Sequence, residues 1–315
     1  MADLCGEMTT DKGRDTTSVA SRIYNGLMEN GRRYQVLRED KYWGPSDEQQ
    51  FETMEAGYLD YHEKNRLHRA PIGDSPQHIL DIGTGKGSWA QDVADMYEMA
   101  TVRGVDLYPP PDTWVAPNCI LEVDDVLQPW TWREPFDLIH MRLMLGAFTP
   151  AEWDRVYQQC YDNLRPGGWI EQIELDVRVM SDDGTLPEDS LLAGWGETFL
   201  RCGQRCGRPL DTQTTMRAAI ERAGFVNASE KLYKCPIGAW PKDPQFKDAG
   251  SINLAHWSSG LEGWAMWLLT KYGEPEPWKR EEVQVYVAKV RQELKRPGQH
   301  IYHLTRRVWA QKPEK

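Results

Sequence analysis

The apolar residues of this 315-residue chain follow two rhythms. Short apolar runs, several stopped by an acid, lie near residues 78–82, 101–106, 119–123, 136–140 and 169–175, which is the signature of buried strands. Between most of them the spacing is helical. Trp89, Val93 and Met96 mark a helix from Ser88 to Tyr97; Trp153, Val156, Tyr157 and Cys160 mark another from Pro150 to Asn163, ended by Arg165-Pro166-Gly167-Gly168. Gln128-Pro129-Trp130-Thr131-Trp132 leaves little room for a helix between the third and fourth strands. This alternation predicts a doubly wound α/β sheet with its ligands at the carboxyl ends of the strands.

The flanks read differently. From Asp47 to Arg66 a charged helix carries Phe51, Met54, Tyr58 and Tyr61 on one face. Leu191–Cys206 and Thr214–Ala223 predict two more helices, with Gly224 closing the second. Phe225–Lys234 and Tyr302–Ala310 predict a sixth and a seventh strand, an antiparallel edge pair interrupted by a long insertion. Within that insertion lie Asn253–Trp257, the apolar run Trp264–Leu269 and a charged helix over 279–295; its place in the chain suits a substrate cap. The expected division is therefore a disordered tail (1–18), an N-terminal helical lid (19–70), a core (71–235, with a helical insertion 187–223), a helical cap (236–300) and the last strand with its tail (301–315).

Where the first strand ends, Asp81-Ile82-Gly83-Thr84-Gly85-Lys86-Gly87 places three alternating glycines between strand and helix. Such a turn lets a ligand approach bare backbone, and the helix N–H groups behind it attract polar groups. A dinucleotide fingerprint would need glycine at the sixth position, which is Ser88. Asp81 precedes the turn, Asp106 ends the next strand 23 residues after Gly83, where a ribose acceptor belongs, and Asp124-Asp125 follow the third strand. Three acids at three strand tips suit a ligand with an amino group, a ribose and an adenine and no phosphate, that is, S-adenosylmethionine. A cofactor-free structural turn and a nicotinamide enzyme remain the alternatives.

With Phe136-Asp137-Leu138-Ile139-His140 and Leu164-Arg165-Pro166-Gly167-Gly168-Trp169, these residues resemble the class I S-adenosylmethionine-dependent methyltransferases. Gly31-Arg32-Arg33-Tyr34, Lys41-Tyr42-Trp43, Trp114–Cys119, Glu122-Val123-Asp124-Asp125 and Ile139-His140-Met141-Arg142 are similar to the fungal LaeA-like branch, over roughly residues 20 to 311. The resemblance implies a seven-stranded Rossmann-like sheet and S-adenosylmethionine as cofactor, with S-adenosylhomocysteine as product. Carried over, Asp81, Gly83 and Gly85 meet the methionine end, Asp106 the ribose, and Asp125 with Val126 the adenine, with Thr84, Leu107 and Asp124 beside them. Tyr34 and Tyr42 are lid candidates, or only pack.

Methyl transfer from a sulfonium needs alignment above all, and a general base only for a protonated acceptor. His140 is the first candidate for a base or a ligand contact, against a neutral histidine that merely shapes the methionine pocket. His256, in the cap, is the second; Glu171 and Glu174 are weaker ones. The implied function is O- or N-methylation of a small molecule in fungal secondary metabolism. The alternatives are a LaeA-like regulator acting through velvet-type protein partners, and a protein that binds the cofactor without transferring its methyl.

Composition narrows the partners. A net charge of −11 and a pI near 5.2 offer phosphate backbones little, so no nucleic acid is expected. No run of 18 apolar residues and no signal peptide is seen, so no membrane is expected and the cytoplasm is the expected location, with the nucleus under the regulator reading. The regulator reading lacks a basic localisation run. Six scattered cysteines are expected to be free thiols, and no metal is expected at Cys202 and Cys206. Fourteen tryptophans would pack in cores or line an apolar pocket.

Overall fold

The computed structural model describes residues 21–60, 66–111 and 114–315; the expected tail 1–18 and the end of the expected helix 47–66 lie outside them. A short helix α1 (Ser21–Asn25) and a hairpin, β1 (Leu27–Glu29) with β2 (Arg32–Tyr34), precede α2 (Glu48–Asp60). The hairpin was not legible in the sequence, because its strands are three residues long. The core follows as β3 (His78–Ile82), α3 (Ser88–Met96), β4 (Thr101–Asp106), β5 (Cys119–Val123), β6 (Phe136–Arg142), α4 (Pro150–Asn163) and β7 (Leu164–Leu175). After β8 (Met180–Ser181) come α5 (Leu191–Arg205), α6 (Thr212–Arg222) and β9 (Val226–Ile237). The cap helices α7 (Pro244–Tyr272) and α8 (Arg280–Leu294) then lead to β10 (Ile301–Gln311).

The strands lie in the order β5-β4-β3-β6-β7-β10-β9, with the two-residue β8 beside the start of β10. The first five are parallel, whereas β10 runs antiparallel to both β7 and β9. Strand order reverses between β3 and β6, and a crevice opens at the carboxyl ends of such a switch point. The expected doubly wound sheet and its late antiparallel pair are both present. β6 supplies Phe136, Leu138, Ile139 and Met141 to the core, all buried. Helix α4 starts where the pattern put it: Pro150 follows Thr149, whose hydroxyl accepts from the Glu152 N–H while the Glu152 carboxylate accepts from the Thr149 N–H.

Two acids in the sheet have structural partners. Glu171 is fully buried, yet it takes the Arg307 guanidinium and the backbone N–H groups of Arg69 and Ala70 at 2.8 and 2.7 Å. A buried carboxylate so paired holds the segment entering β3 against the sheet and is not available for catalysis. Asp137 likewise accepts from the N–H groups of Gln77 and His78.

Above the sheet tips lies a second core. Helix α7 is apolar on several faces, and Trp257, Leu261, Ala265, Met266 and Leu268 are buried against α5, α8 and the ends of β6 and β7. Trp195 and Trp257 are among its largest fully buried side chains. Helix α2 docks on this cap: the Thr53 carbonyl accepts from His256 Nδ1 at 2.7 Å, and the Thr53 hydroxyl meets Ser259 at 3.1 Å. Helix α2 of the expected lid and α7 of the expected cap are thus fastened to each other.

Glu152 ties three segments together. Its carboxylate accepts from Arg38, ahead of α2, at 2.9 Å and from Arg208, before α6, at 2.6 Å. Burial alone would raise the Glu152 pKa, but Arg208, the Thr149 N–H and Arg38 outweigh it and bring the carboxyl down to about 2. A depressed carboxyl stabilises the fold above its unfolded value, near 4.5, and loses that contribution as pH falls toward 2. Glu152→Gln is therefore expected to lower the melting temperature at pH 6, with the gap to the parent narrowing as melts are repeated from pH 4.5 downward. A gap that stays constant over that range would contradict this role.

Candidate active site

The glycine turn is built by strand geometry. Gly83, Gly85 and Gly87 have φ of 70, 59 and 85°, the left-handed region that side chains avoid. A Cβ on Gly83 would fall 2.3 Å from the Met144 sulfur, so a side chain there would also have to displace the end of Met144. At Gly85 a Cβ would meet nothing within 4 Å: bare backbone faces open space. The turn hangs from β4, because the Gly83 and Thr84 N–H groups donate to the Val105 carbonyl. Asp106 then braces it from the side, accepting from the Gly85 N–H at 2.9 Å and the Leu107 N–H at 2.7 Å. Burial pushes the Asp106 pKa up, against the opposing pull of those amides.

A cleft with about 1270 Å³ of empty space, partly open to solvent, spans the tips of β3, β4, β5 and β6. Asp81, Gly83, Thr84 and Gly85 line one stretch, Asp106 and Leu107 the middle, and Asp124, Asp125 and Val126 the far end. The strands thus bring together in one crevice all nine of these residues singled out from the sequence. The roof comes from the N-terminal segment, where Arg38, Tyr42, Phe51 and Met54 face the cleft. Arg38 Nε stands 3.9 Å from Asp125 Oδ2, and the Ser88 hydroxyl at the start of α3 donates to Glu55 on α2.

Three expected positions stand elsewhere. Tyr34 does not line the cleft; it is buried in the cap core, with burial pushing its pKa up, so of the two tyrosines only Tyr42 serves as roof. His140 is wholly buried behind Asp81. Its ring stacks on Trp89 with centroids 3.7 Å apart, and Nδ1 lies 2.7 Å from Asp81 Oδ1. Because the carboxylate can only accept, Nδ1 carries the proton. His140 does not line the cleft and meets it only through Asp81, so it stands as a group that orients Asp81 and not as a base touching a ligand there. Thr84 completes that brace with a 2.7 Å bond to Asp81 Oδ2.

His256 adjoins a second, apolar cavity with about 590 Å³ of empty space. Tyr42, Gln50, Met54 and Leu143 line both spaces, so the two are neighbours. Trp195 and Phe199, from the insertion over 187–223, and Trp257 and Trp264, from the cap, supply aromatic walls. Burial lowers the His256 pKa to about 4, so the ring is neutral at pH 7.

The wall shared by the two spaces is held in an unusual conformation. Leu143 has φ of 55°, a left-handed value for a bulky residue that persists only where surroundings impose it. Glu174 imposes it: its two carboxylate oxygens accept from the N–H groups of Met144 and Leu145, each at 3.1 Å. Tyr157 donates to Gln172, and Gln172 donates to Glu174. Burial raises the Glu174 pKa to about 7. Glu174 was flagged in the sequence as an acid in an apolar strand, but its task is to shape the loop after β6. Gln50 and Leu143 carried no sequence signal beyond ordinary amphipathic spacing.

A parallel sheet of this order, with an acid-flanked glycine turn at its switch point, defines the methyltransferase class of Rossmann-like proteins. Residues 51–230 match a family model described as a methyltransferase domain. Over 307 residues the chain is 35% identical to methyltransferase pytC of Aspergillus terreus, covering 96% of this chain and 93% of that protein. It is also 35% identical over 303 residues to the secondary metabolism regulator LAE1 of Cochliobolus heterostrophus, covering 92% and 96%. Among solved structures, a putative sarcosine dimethylglycine methyltransferase from Galdieria sulphuraria aligns at 15% identity and a TM-score of 0.43, over 88% of this chain and 95% of that one. The chain belongs to the methyltransferase family, as an S-adenosylmethionine-dependent enzyme. Among the described residues, no helix is long and apolar enough to cross a membrane.

Proposed function

We propose that this enzyme methylates a small molecule of fungal secondary metabolism, on oxygen or nitrogen, with the acceptor held between the sheet tips and the cap. The observation that carries this reading is the pair of adjoining spaces: an acid-lined cleft beside an aromatic cavity, with Tyr42, Gln50, Met54 and Leu143 lining both. The cleft fits S-adenosylmethionine on its own terms, since Gly85 leaves backbone uncovered and Asp106 keeps lone pairs beside it at mid-cleft. Asp81 with Gly83, Thr84 and Gly85 would take the methionine end, Asp106 and Leu107 the ribose, and Asp124, Asp125 and Val126 the adenine.

When bound, that cofactor supplies an already activated methyl group, and the protein's part is to bring the acceptor into line in a dry site. Tyr42, Gln50, Met54 and Leu143 stand where the two ligands would meet. His140 fixes the Asp81 carboxylate. His256 presents an uncharged ring to the acceptor.

A second reading rests on the regulators among the relatives: the chain would act with a velvet-type protein partner, in the nucleus. The two separate in one experiment. Incubated with tritiated S-adenosylmethionine and a fungal metabolite extract, the enzyme is expected to label organic-soluble small molecules. Label confined to protein bands, or no label despite cofactor binding, would overturn the small-molecule reading.

A further inference from the structure

Arg38 belongs to the N-terminal segment, outside the sheet, yet it lines the cofactor cleft while only 7% exposed. An arginine is so deeply buried only where partners hold it. One side chain clamps its backbone: Gln35, itself buried, donates through Nε2 to the Arg38 carbonyl and accepts at Oε1 from the Arg38 N–H, both at 2.7 Å. The guanidinium donates to Glu152 Oε1 at 2.9 Å and to the Ala147 carbonyl at 3.4 Å, and it lies over the Phe148 ring, 5.3 Å from the centroid. Backbone and side chain are therefore both fixed, as they are in a group whose placement matters to a site.

Charge shows what the placement serves. Arg208 donates to the same Glu152 carboxylate at 2.6 Å and to the same Ala147 carbonyl at 2.7 Å. Two guanidinium groups thus share one carboxylate, and Arg38 Nε stands 3.9 Å from a second, Asp125 Oδ2. Burial pulls the Arg38 pKa down, Glu152 and Asp125 oppose it, and Arg208 adds to the fall. The other Asp125 oxygen, Oδ1, accepts from the Leu127 N–H at 3.0 Å, so the carboxylate is held from two sides. Asp125 lines the cleft with 17% of its side chain exposed. The row Arg208, Glu152, Arg38, Asp125 therefore ends where a ligand would lie.

Resting on the placement of the adenine at Asp125 above, we propose that Arg38 is a positioning residue for cofactor selection. Acting through Asp125, it holds the carboxylate where it accepts from the amino group of the adenine. The N-terminal segment then helps to choose the cofactor as well as covering it.

The test compares S-adenosylhomocysteine with S-inosylhomocysteine, whose base carries a carbonyl acceptor in place of the amino donor, by calorimetry on the full chain. The parent is expected to prefer the adenosyl form at least tenfold. Asp125→Asn and Arg38→Met are each expected to cut that preference to about threefold or less, and the double variant to lose no more than the larger single loss. A lid that had merely come loose would weaken both ligands alike; an Arg38→Met variant that keeps the preference in this way overturns the positioning role. If Arg38→Met does not fold, Arg38→Lys decides: it keeps the charge without the planar fork, so the preference should fall at least threefold, and a parental preference overturns the proposal. A parent without preference, or an Asp125→Asn variant that keeps it, refutes the adenine assignment and the proposal with it. A parent that binds neither ligand refutes the cofactor reading itself.

Discussion

Asp106→Ala is expected to weaken S-adenosylhomocysteine binding at least tenfold in calorimetry, with the fold retained. Two losses combine. As proposed, the carboxylate accepts from the ribose hydroxyls, and a hydrogen bond to a charged group contributes about 1.5–3 kcal/mol, where about 1.4 kcal/mol is already tenfold. The same carboxylate holds the Gly85 and Leu107 N–H groups, so its removal also frees the backbone against which the ligand would lie. Asp106→Asn separates the two: it keeps one acceptor and the shape, and should fall between parent and alanine variant. Near-parental affinity in Asp106→Ala would remove the ribose assignment and, with it, the placement of the cofactor across β3, β4 and β5.

Glu174→Gln is expected to accelerate amide exchange at Met144 and Leu145 by on the order of tenfold or more and to reduce methyl transfer, while the melting transition stays cooperative. A carboxylate offers an oxygen to each N–H; an amide offers one oxygen and turns an N–H toward the other donor. An unsatisfied buried donor costs about 1–3 kcal/mol, and the cost here falls on a loop already holding Leu143 at φ 55°. The pH dependence follows from the raised pKa. Burial favours the neutral carboxyl, so the stabilisation it brings is complete below the unfolded value near 4.5 and is lost as pH rises through about 7. The parent's melting temperature should therefore fall between pH 5 and pH 8 through this group, a dependence that Glu174→Gln should lack. Unchanged exchange at Met144 and Leu145 would show that another contact holds the loop.

The limits of sequence reading lie in particular residues. Asp81, Gly83, Gly85, Asp106 and Asp125 were legible because each sits at a strand end, and strand ends of a parallel sheet converge on one crevice whatever surrounds them. His140 was legible as a residue near the crevice, since strand position placed it there, but only the folded chain shows it buried against Trp89 and Asp81. Tyr34 failed because its hairpin is too short for a periodic signal, and its burial depends on a cap more than 200 residues later in the chain. Glu174 looked like a possible base; only the loop folded over it reveals a carboxylate spent on two backbone amides.

The sequence by itself determined the doubly wound sheet, its late antiparallel pair, the glycine turn and the acids around it, since these follow from local periodicity and from conformations open only to glycine. The tertiary structure alone decided where α2, α5 and α7 lie over the sheet. Trp195, Phe199, Trp257, Gln50 and His256 come from three distant segments, and nothing local distinguishes a tryptophan that packs from one that walls a cavity. That difference arises only when α2, α5 and α7 meet over the sheet and leave space between them.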